Sequence, residues 1–137
     1  MIGLVLVCHG EMAEGLIDAM HMITGEQEAV RGIGLHETEG IEELMDKVQR
    51  AIEEVDSGDG VLILVDLFGA SPFNASARLV LSSPGKALEV VTGLNLPMLV
   101  ELVTQREGLS LSEAVNLVLT VGAEGIRRLA DVKGFER

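Results

Sequence analysis

Two short stretches hold the residues with the most specific chemistry. One is Cys8-His9-Gly10, near the start of the chain; the other runs from Val65-Asp66-Leu67 through Phe68-Gly69-Ala70-Ser71-Pro72-Phe73-Asn74. A histidine and an aspartate make a simple device when they meet. The carboxylate accepts a hydrogen bond from one ring N–H, fixes the tautomer, and leaves a lone pair on the other nitrogen. Neutral imidazole is a competent nucleophile near neutral pH. If it takes a phosphoryl group the ring becomes cationic, and the same carboxylate stabilises it. The second stretch adds another device. Ser71 suits a helix N-cap and Pro72 the first helical position. The free amides of a helix start favour anions, so a phosphate fits there. Gly69 and Ala70 admit close backbone approach. The Ser71 hydroxyl can bond to phosphoryl oxygens or to the His–Asp pair. Gly10 turns the amides of the first helix toward the same point. Taken singly, His9 reads equally as a solvated strand-end histidine, Asp66 as an unrelated cap, and Ser71 as an ordinary one. The elements that carry them decide between these readings.

Residues 2–7 form a continuous apolar run, the mark of a buried strand. Ala13, Leu16, Ile17, Met20 and Ile23 recur at helical spacing over 12–24. A weaker strand over 30–35 is interrupted by Gly32 and Gly34. Ile41, Leu44, Met45, Val48 and Ile52 share one helical face over 41–55. A Gly- and Asp-rich turn precedes residues 61–65, VLILV, the clearest strand. A helix follows from near Pro72, then a strand over 87–92. Pro97 opens the next helix, and Ser110 with Glu113 forms a capping-box pattern before a last helix over 111–130. This alternation predicts one α/β domain over 1–137. Its sheet is doubly wound and mainly parallel, in the order 2-1-3-4, with helices on both faces and room for a fifth strand at the C-terminus. Strands 1 and 3 are then neighbours, about 4.8 Å apart. Their chains leave in opposite directions, which opens a crevice at their carboxyl ends. His9 and Asp66 are placed there together.

Composition narrows the partners. Ten Lys and Arg stand against 22 Asp and Glu, a formal charge of −12. Such a surface repels nucleic acid and anionic lipid; it favours a basic protein partner or serves simple solubility. There are three Phe and no Trp or Tyr, so platforms for stacking bases or sandwiching a flavin are absent. Cys8 is the sole cysteine, which rules out an intrachain disulfide or a cysteine-rich metal site and suits the cytoplasm. No apolar run approaches the ~18 residues of a membrane span. The first seven residues lack the basic leader and cleavage site of a secretory signal. Neither GxxxxGK[ST] nor GxSxG occurs. His21 lies off the main stripe of its helix and is expected to be partly exposed. His36 follows the second strand and reaches the crevice rim. A metal site from His9, His36 and Asp66 lacks a further ligand, so no metal or cofactor is expected.

The motifs in combination resemble the mannose-type IIA family of sugar phosphotransferase systems. The likeness rests on Leu4 to Gly10, Gly25-Glu26-Gln27-Glu28, Leu64 to Asn74, and Thr92-Gly93-Leu94-Asn95-Leu96-Pro97-Met98-Leu99. The spacing matches across nearly the whole chain. The resemblance implies that His9 takes a phosphoryl group at its outer nitrogen from the phosphocarrier HPr. It passes the group to a IIB domain or subunit, and a membrane IIC/IID complex couples transfer to sugar uptake. Asp66 orients and stabilises the imidazole, and Ser71 helps hold the phosphoryl group. The family also implies a homodimer, often with an exchanged C-terminal strand, for which the tail from Val132 to Arg137 is short. Phe68 stands where Trp is common, Ala70 where Gly is common, and Glu11 where an apolar residue is frequent. Met12 and Leu67 are expected at a small docking surface. A regulatory module, whose phosphorylation state a partner senses, is the alternative reading.

Overall fold

The computed structural model describes residues 1–135. It contains, in chain order, β1 (Gly3–His9), α1 (Met12–Thr24), β2 (Val30–Leu35), α2 (Ile41–Val55), β3 (Val61–Val65), α3 (Ser71–Leu81), β4 (Leu88–Val91), α4 (Leu96–Gln105) and α5 (Leu111–Glu124). A short 3₁₀ turn follows at Leu129–Asp131. The sheet order is β2-β1-β3-β4 and each neighbouring pair is parallel, as the sequence predicts. Leu4 lies opposite Leu62, Val7 opposite Val65, and His9 opposite Leu35.

Strand side chains alternate between two faces, and both faces are covered. Leu4, Leu6, Cys8, Leu62 and Leu64 pack with Met20 of α1, Leu99 and Leu102 of α4, and Val118 of α5. Val5, Val7, Ile63 and Val65 pack with Leu44, Val48 and Ile52 of α2 and Ala75 of α3. Burial on both sides explains why β1 and β3 read as unbroken apolar runs. The ends of the strands away from His9 are tied by Arg106, which is 1% exposed. Its guanidinium donates to the carbonyls of Ile2, Glu28 and Ala29, so one buried cation joins α4, the start of β1 and the approach to β2.

Three boundaries differ from expectation. β1 continues through His9 because that residue still pairs with Leu35 of β2. The N-cap of α3 is Ala70, with Ser71 inside the first turn, so the Ser71 hydroxyl is not a cap. The last helix stops at Glu124 rather than near residue 130. Its final turn lies tight against the start of α4, where a Cβ on Gly125 would come within 2.6 Å of Pro97. Ile126 and Leu129 keep a helical spacing, yet both are exposed, so no packing surface sustains a further turn. Ser110 and Glu113 do close the expected capping box on α5. Among the described residues the sheet has four strands, and Val132 to Phe135 add none. Glu136 and Arg137 lie outside the described residues. Among the described residues, no helix is long and apolar enough to cross a membrane.

Leu64 is fully buried at the centre of the sheet. Leu64→Ala is expected to lower unfolding stability by about 2–5 kcal/mol. Urea titration should show an earlier midpoint with an unchanged slope.

Candidate functional site

The site begins where β1 ends. Gly10 takes a positive φ of 54°, a left-handed turn that releases the chain from the sheet into α1. Its N–H remains bonded to the Leu35 carbonyl at 2.9 Å, and its own carbonyl folds against β2. There Gly34 makes room: a Cβ at that position would lie 2.2 Å from Gly10 O. The glycine that weakens the β2 pattern therefore lets the turn after His9 sit on the sheet.

Asp66, just past β3, reaches across to His9. One of its oxygens, Oδ2, accepts the His9 backbone N–H at 2.8 Å and lies 2.7 Å from ring Nδ1. An ionised carboxylate only accepts, so Nδ1 is the donor and Nε2 keeps the lone pair. The His9 side chain is 51% exposed while that of Asp66 is 9% exposed. The carboxylate thus grips from below and half the imidazole faces solvent. The other carboxylate oxygen, Oδ1, is buried without a hydrogen-bond partner among the described residues.

The start of α3 closes the arrangement. Gly69 takes a φ of 82° and its carbonyl accepts Asn74 Nδ2 at 3.3 Å, which ties the loop to the helix it feeds. The amides of the first helical turn have no carbonyl one turn back and are available to an anion. His9, Gly10 and Ser71 line one open crevice of about 560 Å³, together with Leu35, His36, Glu37 and Glu39. Asp66 lies beneath His9, and Gly69 and Ala70 lead into α3 without lining the crevice. The structure therefore brings the predicted residues together in two roles: a wall and its support. His21 is half-buried in the last turn of α1, away from this wall.

Around the crevice the surface is apolar in patches. Met12, Leu67 and Phe68 are 43%, 60% and 72% exposed, and the Phe68 ring tilts against Phe73 at a centroid distance of 4.9 Å. Exposed apolar groups of this kind mark contact surfaces. Cys8 takes no such part. It is fully buried, and burial, with the Asp66 charge adding to it, pushes its thiol up to about 12.

Sequence reasoning missed the supporting residues Gly34, Asn74 and the Glu39–Lys47 ion pair. Lys47 Nζ of α2 lies 2.7 Å from Glu39 and donates to the Gly34 carbonyl at 2.9 Å. Gly34 showed in the sequence only as an unexplained break in an apolar run, and Asn74 only as the end of a motif with no role of its own.

Two outcomes follow from this geometry. Gly34→Ala should displace the Gly10 turn, because the obstructing atom is backbone; stability is expected to fall by about 1–3 kcal/mol. The His9 amide and ring nitrogen signals in NMR should shift with it. Cys8 is expected to resist iodoacetamide at pH 8 in the folded protein and to react once the chain is unfolded in urea. Rapid labelling of the native protein would contradict its burial.

Comparison with known proteins identifies the family and the fold. The EIIA-man family, described as "PTS system fructose IIA component", matches residues 3–119. The chain is 40% identical over 129 residues to the PTS system mannose-specific EIIAB component of Escherichia coli strain K12. That alignment covers 93% of the chain but only 39% of the longer relative. It is 37% identical over 121 residues to the sorbose-specific EIIA component of Lacticaseibacillus casei, covering 88% of the chain and 86% of that protein. The crystal structure of phosphotransferase system component EIIA from Streptococcus agalactiae superposes with a TM-score of 0.89 at 32% identity, covering 96% of this chain and all of that one. On the strength of the matched sequence and the shared four-stranded architecture, the chain belongs to the mannose-family IIA components of sugar phosphotransferase systems.

Proposed function

We propose that residues 1–137 form one phosphocarrier domain that relays a phosphoryl group through His9. The observation that carries this reading is the double hold of Asp66 Oδ2 on His9, by backbone N–H and by Nδ1. It leaves Nε2 as the nucleophile on a half-exposed ring.

In the first step Nε2 attacks the phosphorus carried by the phosphocarrier HPr. The new N–P bond forms as the bond to the donor breaks. The His9 ring gains positive charge, which Asp66 offsets from below. Ser71 and the open amides of α3 take the phosphoryl oxygens, with Gly10, Gly69 and Ala70 shaping the backbone around them. In the second step a side chain of a IIB domain or subunit attacks the same phosphorus and frees His9. Both partners are proteins, so positioning and charge stabilisation supply the catalysis. Met12, Leu67 and Phe68 offer each partner a small apolar contact, and the formal charge of −12 favours a basic face on the donor. The family likeness supports the remaining proposals: a cytoplasmic location, a membrane IIC/IID complex downstream, and assembly as a homodimer.

Incubation with HPr, its phosphorylating enzyme and phosphoenolpyruvate should add the mass of one phosphate. His9→Ala should abolish the gain. Asp66→Asn keeps the shape but loses the charge, and is expected to slow transfer by roughly a hundredfold or more. Label retained in the His9→Ala protein would overturn the assignment.

A further inference from the structure

The crevice contains a second imidazole that the relay leaves unused. His36 is exposed, directly follows β2, and lines the same crevice as His9, Gly10 and Ser71. Its place is built into the fold. The His36 N–H donates to Glu39 Oε1 at 2.9 Å, and the His36 carbonyl accepts the Glu39 N–H at 3.0 Å. Lys47 then anchors this closed turn to α2 by gripping Glu39 and the Gly34 carbonyl. The Lys47 and His36 contacts hold the Glu39 carboxyl below the usual carboxylate range, so the anchor is ionised at neutral pH. The ring itself leans back toward the strand ends. The point where a Cβ on Gly34 would sit is 2.2 Å from Gly10 O and 3.8 Å from His36 Cε1.

The charges on this wall set up a need. A phosphoryl group carries about −1.5 to −2 at neutral pH. The other ionisable side chains of the crevice wall are Glu37 and Glu39, both acidic, beside His9 itself. Lys47 is not part of the wall, and its Nζ is turned to Glu39 and Gly34. Apart from His9, His36 is therefore the only lining side chain, among the described residues, that can become cationic.

We propose that His36 is a further phosphoryl-contacting residue, pairing as imidazolium with the phosphoryl group carried on His9. The proposal rests on His9 as the carrier. No bond forms between phosphorus and His36, which supplies only charge and an N–H donor. Imidazoles exchange their charge between about pH 5 and 8. The added stabilisation is thus present at the acidic end of that range and fades toward the alkaline end. The groups beside His36 on this wall are Glu37 and Glu39, both acidic, and Lys47 is turned to Glu39.

The test is the equilibrium of phosphoryl groups between HPr and this chain, read by intact mass near pH 6 and near pH 8. Wild type, His36→Gln and His36→Lys are compared. All three should carry one phosphate. The share held by His36→Gln is expected to fall roughly two- to fivefold below wild type near pH 6 and to match it near pH 8. The fixed cation of His36→Lys should hold the wild-type share at pH 6 and exceed it at pH 8. Equal shares for His36→Gln and wild type at pH 6 would overturn the proposal, as would a His36→Lys protein that behaves like His36→Gln. A wild-type chain that takes no phosphate would instead remove the His9 reading on which this one stands.

Discussion

One carboxylate oxygen organises this protein's candidate site. Asp66 Oδ2 receives two donors from the same residue, the main-chain N–H of His9 and its ring Nδ1. The first bond fixes where the backbone stops behaving as strand. The second fixes which way the ring turns and which nitrogen keeps its lone pair. A nearly buried carboxylate requires such partners, since an unpaired charge away from water is strongly disfavoured. Among the described residues the second oxygen has no donor, and the carboxylate lies below a ring that can become positive.

The rest of the fold serves that contact. Asp66 and His9 are 57 residues apart in the chain and meet only because β1 and β3 are paired in parallel. Both strands are covered by helices on two faces, which fixes their relative height through side-chain packing. Gly34 lets the following turn press against β2, and Asn74 ties down the loop that follows Asp66. At the opposite ends of the strands, Arg106 binds three carbonyls from two parts of the chain.

Much of this was legible in the residues themselves. Runs such as VLILV at 61–65 can only be buried strands in so regular an alternation, and the strand order followed from the rules of parallel connection. The pairing of His9 with Asp66 followed from that order. Local detail was less legible. Ser71 has the chemistry of a cap, but the N-cap falls one residue earlier at Ala70 and Ser71 is the first helical residue, because helix starts depend on the loop's exit angle as well as on side-chain type. The overlong last helix has a similar cause: Ile126 and Leu129 have the right spacing but no surface to cover. The ion pair of Glu39 and Lys47 joins a turn to a neighbouring helix, and no periodicity encodes such a contact.

The Arg106 lock has an evolutionary corollary. It secures one pole of the molecule through main-chain carbonyls, which are present whatever the side chains around them. The exposed residues Met12, Leu67 and Phe68 project from the other pole, and none of the three side chains belongs to the buried interior. Changes at these three exposed side chains therefore leave the architecture intact. A lineage could acquire a new binding specificity through a few codon changes and inherit the scaffold intact.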